Sequence, residues 1–199
     1  MKSIEIIGFK RANLGKAESA QLREEGNVPC VLYGGDSQVH FHSPMYLFRD
    51  LVYTQEAKLV ELNIEGKVYK AILQDLQFHP VSEVLLHVDF LQIFEDKQVK
   101  IEIPIRTTGV SVGVQKGGKL VVKQPKLKVL AFPKDLPDFI EVEVSKLDLG
   151  KSARVSEVKL NNFSILNPGS LPIVSIAIPR ALRGKQAEEA AATTGKKKK

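Results

Sequence analysis

Short apolar runs with a period of two dominate the chain. KSIEIIGF (2–9), VPCVLY (28–33), VHFH (39–42) and HVDFLQIF (87–94) each read as a strand. KLVELNI and KVYKAIL flank Glu65-Gly66, a turn pair that predicts a hairpin. The pattern breaks in two places. AESAQLREE (17–25) is made of good helix formers, and Gly26 follows where a C-terminal cap belongs. Pro44 is placed to open a second short helix ending near Val52.

The charged stretch EDKQ (95–98) interrupts the strand pattern and reads as a linker. Beyond it KIEIPIRT, KLVVK, KLKVLAF, FIEVEVS and PIVSIAIP alternate again, punctuated by Pro125, Pro133, Pro137, Pro168 and Pro172. This spacing predicts a small antiparallel sandwich or barrel-like unit, with no helix of useful length between 97 and 179. After Pro179 no large apolar residue follows Leu182, so 180–199 reads as a disordered Lys-rich tail. The expected layout is therefore a first domain over 1–94, the linker 95–98, a second all-β domain over 99–179, and the tail.

Composition narrows the function classes. Hydrophobic residues are 43% of 199, enough for a packed core, and Val, Ile and Leu carry most of it. No apolar run reaches the roughly 18 residues of a membrane span. MKSIEIIGFKR carries Glu5 and no small-residue cleavage pattern, so no signal peptide is expected. The single Cys30 excludes an internal disulfide and suits a reducing cytoplasm. One Cys and four scattered His give no metal-ligand spacing. There is no P-loop or dinucleotide fingerprint, so no cofactor or small-molecule substrate is expected.

The net charge is +6, and it is unevenly spread. Residues 1–94 hold nine Lys/Arg against twelve Asp/Glu, a net −3. Residues 95–179 hold thirteen against nine, +4, and 180–199 hold seven against two, +5. A basic chain points to a polyanionic partner. If the first domain binds RNA, it must use placed groups and not bulk charge.

Several constellations are candidates for such groups. Lys16, Ser19 and Arg23 share one face of the expected helix, and Arg11 precedes it. Two cations and a hydroxyl suit phosphate and ribose oxygens. A solvated helix face is the plainer alternative. His87 and Asp89 point to one side of a strand, so the carboxylate can orient the imidazole toward a base edge or a 2′-hydroxyl. A structural hydrogen-bonded pair competes with that reading. A hydrolase would also need a nucleophile or metal, and none is placed for it. Tyr33 before Gly34-Gly35 suits stacking on RNA or simple packing. Gln74 and Gln77 offer amide donors and acceptors. Lys116, Lys119, Lys123, Lys126 and Lys128 form either a second phosphate-contacting surface or a solubility face.

SAQLREEGNVPCVLYGG and QDLQFHPVSEVLLHVDF resemble the two signature regions of the bacterial ribosomal protein family that binds 5S rRNA, large-subunit protein twenty-five (the Ctc, or general stress protein, family). GVQKGGKL, LPDFIEVEVSKLDLGKSARVSEV and LPIVSIAIP look like the extra C-terminal domain of its long form. The resemblance covers about nine-tenths of the chain. It implies a mainly β protein whose first domain is a six-stranded β-barrel with short helices. It implies that this domain binds the loop E region of 5S rRNA through a widened minor groove. It assigns the RNA contacts to Arg11, Lys16, Ser19, Arg23, Tyr33, Gln74, Gln77, His87 and Asp89. Ala20-Gln21 stands where many relatives carry arginines, which removes one or two cationic contacts. The partners implied are 5S rRNA, large-subunit RNA and neighbouring ribosomal proteins, with no membrane. The alternative is a stress-response module that meets a protein partner through sheet edges of the second domain.

Overall fold

The structure, a computed structural model, describes residues 2–54, 56–158 and 162–179. The expected tail, 180–199, lies outside the described residues. Two compact units emerge. The first holds the chain up to Pro104 with Lys128–Phe139 and Asn162–Ser164, and the second holds Ile105–Leu127 with the described residues of 140–161 and 165–199.

In the first unit six strands close into a barrel. They are β1 (Ser3–Lys10), β2 (Asn27–Tyr33), β3 (Val39–Pro44), β4 (Leu59–Ile64), β5 (Lys67–Phe78) and β6 (Leu85–Gln92), in the order β1-β3-β2-β6-β5-β4. The joins of β1 with β4 and β2 with β6 are parallel. Alternation drives closure. On β4, Val60, Leu62 and Ile64 are buried, while Glu61 and Asn63 between them are not. The same alternation sends Ile6, Leu32, Phe41 and Phe90 into one core. Each such side chain contributes about 1.5–3 kcal/mol by leaving water. Pro44 ends β3 and caps a 3-10 turn over Met45–Phe48, which runs into α2 (Arg49–Val52). That turn delivers Phe48 to the core, with its ring 6.3 Å from Phe90.

The expected hairpin is present. Glu65 and Gly66 both have positive φ, 50° and 86°, as a type I′ turn requires. The expected helix is α1 (Lys16–Glu24), closed by Gly26 at φ 79°. It fully buries no residue, and polar ties help hold it to the barrel. Cys30 is buried, and burial pushes its thiol well above the ordinary range.

The remaining strands are β7 (Val99–Thr108), β8 (Lys119–Val122), β9 (Lys126–Ala131), β10 (Ile140–Glu143), β11 (Ser152–Arg154), β12 (Ser164–Ile165) and β13 (Pro172–Ala177). They form two sheets, β10-β7-β9-β12 and β11-β13-β8. The expected all-antiparallel arrangement is not met, because β10 runs parallel to β7, with Ile140 opposite Ile105. Parallel neighbours require a long crossover, and the chain from Gly109 to Phe139 supplies it. The helix in that crossover, α3 (Val112–Gln115), is only four residues long. Buried Ser111 caps it, accepting from Gly113 N at 3.1 Å and donating to Leu147 O at 2.7 Å.

Candidate nucleic-acid interface

The candidate residues of the first domain gather on one outer face of the barrel, where β5, β6, β2 and β3 lie side by side and α1 packs against β2. On β6, Val88 points into the core, so His87 and Asp89 point out on either side of it. His87 Nδ1 lies 2.7 Å from Asp89 Oδ1. The approach is at ion-pair distance but off the line of a hydrogen bond, so Nδ1 is covered without a hydrogen-bond partner.

Across the β5–β6 join, Gln77 stands opposite His87 and Asp75 opposite Asp89. A bulge between Leu73 and Asp75 leaves Gln74 without a register partner, exposed on the surface. The two glutamines therefore sit differently, one in the ladder and one in the bulge. On β2, Val31 pairs with Asp89 on one side and His40 on the other. Tyr33 follows at the next outward position. Its hydroxyl is pushed up by partial burial and then by the charges of Asp89 and Asp75.

Helix α1 is tied down on both flanks. Arg23 Nε donates to Leu86 O of β6 at 3.0 Å. Arg11 N donates to His40 O of β3 at 3.0 Å, and Arg11 Nη2 donates to Ser19 Oγ at 3.0 Å. Ser19 Oγ in turn donates to Gly15 O at 2.8 Å. Lys16 stands exposed at the start of the helix. Of the three residues expected on one helix face, Ser19 and Arg23 are half-buried and engaged by the protein, and Lys16 projects free of those ties.

His42 is a member of this face that the sequence did not single out. It pairs in register with Phe9 of β1 and Pro29 of β2, and its ring lies 5.7 Å from that of Phe9 at 32°. Burial first, and the Arg11 charge second, hold its imidazole below the ordinary range, against a smaller upward pull from Glu25 and Glu18. Its Nδ1 is covered and has no hydrogen-bond partner. Among the described residues, the covered side-chain polar atoms without a hydrogen bond are Arg11 Nε, His42 Nδ1 and His87 Nδ1. All three lie on this face. Such atoms are scarce in folded proteins, and leaving one unsatisfied costs about 1–3 kcal/mol.

The lysines of the second β region are less uniform. Lys116 pairs with Asp148 at 3.0 Å, and with the Leu149 N–H it holds that carboxyl below its ordinary range. Lys128 lies 3.9 Å from Glu102. Lys119 opens strand β8 and Lys123 follows it, and Lys126 opens β9. Exposed pairs of this kind contribute little stability. Among the described residues no group of His, Cys, Asp and Glu is placed to hold a metal ion, and no helix is long and apolar enough to cross a membrane.

Two ribosomal protein family models divide the chain between them. Residues 6–90 match the Ribosomal L25p family, and residues 98–180 match the Ribosomal protein TL5, C-terminal domain. The large ribosomal subunit protein bL25 of Cytophaga hutchinsonii is 58% identical over 96% of this chain and 99% of its own length. The bL25 of Amoebophilus asiaticus is 56% identical over the whole of both chains, and that of Phocaeicola vulgatus is 42% identical over 98% and 100%. The chain belongs to the bL25 family of large ribosomal subunit proteins. Its relatives are ribosomal structural proteins and not enzymes.

Proposed function

We propose that this chain is a structural component of the bacterial large ribosomal subunit and binds 5S rRNA, at its loop E region, through the outer face of the barrel. The observation that carries this reading is the convergence, among the described residues, of the covered side-chain polar atoms without a hydrogen bond, Arg11 Nε, His42 Nδ1 and His87 Nδ1, on the face that also bears Lys16, Arg23, Tyr33, Gln77 and Asp89. A protein tolerates such atoms where a ligand completes the set. The mixture suits RNA. Lys16 and Arg23 meet phosphates, and the imidazole, amide and carboxylates meet base edges and 2′-hydroxyls. Arg11 and Ser19 brace the helix that presents the cations, and Gln74 extends the strip from its bulge. In this reading residues 1–94 form the 5S-binding domain, 95–98 link it to a β domain over 99–179, and that domain makes further contacts with ribosomal RNA or neighbouring proteins.

A gel-shift titration of 5S rRNA tests it. Arg23→Ala and His87→Ala should each weaken binding by about 1–3 kcal/mol. Wild-type affinity in both variants would sink the site. One feature favours a second reading, docking of a protein partner on the second domain. Strand β8 lies at a sheet edge and exposes Val121 and Val122. Salt separates the two, because phosphate binding falls steeply with salt and a sheet-edge contact does not.

A further inference from the structure

Strand β1 leaves an aromatic ring on the outside of the barrel. Ile6 and Gly8 face the core, so Ile7 and Phe9 face out, and each is 50% exposed. Phe9 pairs in register with His42 of β3, and His42 pairs with Pro29 of β2. The Phe9 and His42 rings lie 5.7 Å apart at 32°, in the range of an aromatic pair. That contact backs the phenyl ring from one side, and half of Phe9 stays open to solvent. The row thus runs from half-exposed Phe9 through half-buried His42 to buried Pro29, on the strand against which α1 packs.

The surroundings of this shelf say what it fits. Lys10 and Arg11 follow Phe9 directly, and Arg11 is tied through Ser19 to α1, which carries Lys16 and Arg23. On the other flank Glu65 of the β4–β5 turn is engaged, accepting from the Lys10 N–H at 3.3 Å. An unpaired nucleobase offers a flat face to an open ring, and its phosphate comes within reach of neighbouring cations. An apolar protein side chain would use the ring and leave the cations idle. We propose that Phe9, backed by His42, is a stacking site for one unpaired base of the bound RNA, at the margin of the barrel face. This rests on the RNA-binding reading of that face and adds a contact of another kind, neither charged nor hydrogen-bonded. A base–aromatic stack tolerates any base and releases no counterion, so it adds affinity without adding to the salt dependence.

The test uses the full chain and a bacterial 5S rRNA transcript. Phe9→Leu keeps apolar bulk and loses the ring, and Phe9→Trp keeps an aromatic face. The chain has no tryptophan of its own, so Phe9→Trp is also a reporter whose emission a stacked base quenches. Phe9→Leu should weaken binding roughly tenfold, the scale of one base–aromatic stack. Its salt slope and the thermal melt of the free protein should stay close to those of wild type. Phe9→Trp should bind as wild type does, and RNA should quench its emission. Tyr53→Trp, at an exposed position just after α2, should keep its emission. Wild-type affinity in Phe9→Leu would overturn the proposal and leave the ring to a protein neighbour. A flattened salt slope in Phe9→Leu would overturn it too, because the loss would then be one of cation placement. So would an emission of Phe9→Trp that RNA alters no more than that of Tyr53→Trp. If Phe9→Leu does not fold, the quench in Phe9→Trp decides. A wild type that binds no 5S rRNA removes the RNA-binding reading and this site with it, whereas a loss in His87→Ala without one in Phe9→Leu removes the stacking site alone.

Discussion

Arg23 shows why charge alone does not define a proposed contact residue here. Its Nε is already committed to Leu86 O on β6, so the guanidinium plane is fixed in the free protein. A lysine keeps the charge and loses both the fork and the tie. Arg23→Lys should therefore weaken 5S rRNA binding by about 1 kcal/mol or more while leaving its salt dependence almost unchanged, which a gel-shift series at several salt concentrations will show. His42 carries a stability consequence that needs no RNA. Its folded-state value is lowered by burial and by Arg11. Below the unfolded value of about 6.5 the unfolded chain binds the extra proton first, so stability is full above that pH and declines as pH falls toward the folded value. Urea melts across that window should show the decline in wild type and a shallower one in His42→Gln. The sequence revealed these residues unequally. His87 and Asp89 were legible because a period of two puts both on one face. His42 was not, because nothing in VHFH says that Phe9 will stand beside it or that Arg11 will fold back to Ser19.

Two glycines separate backbone strain from crowding at the level of elements. Gly66 sits at φ 86° in the β4–β5 turn, and a Cβ there would meet nothing within 4 Å. Gly66→Ala should cost about 1–2 kcal/mol for the left-handed backbone alone. Gly8 on β1 has ordinary backbone, but a Cβ would come within 2.5 Å of Phe41 Cδ2. Gly8→Ala should cost a similar amount, roughly 1–3 kcal/mol, through the core. Thermal melts will show a fall in both. A double change of Gly8→Ala with Phe41→Leu should regain part of the loss only for Gly8. The hairpin and helix α1 were readable because local chemistry sets them: a turn pair with positive φ, and a helix with its capping glycine. The rest was set by partners far along the chain. The bulge that singles out Gln74 depends on how β5 meets β6. The parallel β7–β10 join depends on where the chain returns after β8 and β9. Strands β11 and β12, with three and two residues, are too short to show alternation.

At the scale of the whole molecule the distribution of charge divides the work. Residues 1–94 carry more acid than base, while 95–179 and 180–199 are basic. On the proposed reading the barrel face recognises RNA by placed groups, two of them carboxylates, Asp75 and Asp89, opposite one another across β5 and β6. Carboxylates repel phosphate, so bulk attraction has to come from elsewhere. Lys119, Lys123 and Lys126 are the candidates in the second region, since Lys116 and Lys128 have acidic neighbours at 3.0 and 3.9 Å. Each phosphate neutralised contributes about 0.9 to the slope of log affinity against log salt on a duplex. Changing all three lysines to Gln should lower that slope by up to about three, whereas Arg23→Ala should lower it by about one and relax discrimination between 5S rRNA and an unrelated RNA of equal length. A triple variant with an unaltered slope would mean that the second region touches no phosphate of 5S rRNA. Its lysines would then serve another surface of the ribosome. A triple variant that also lost discrimination would put recognition, and not only attraction, outside the barrel.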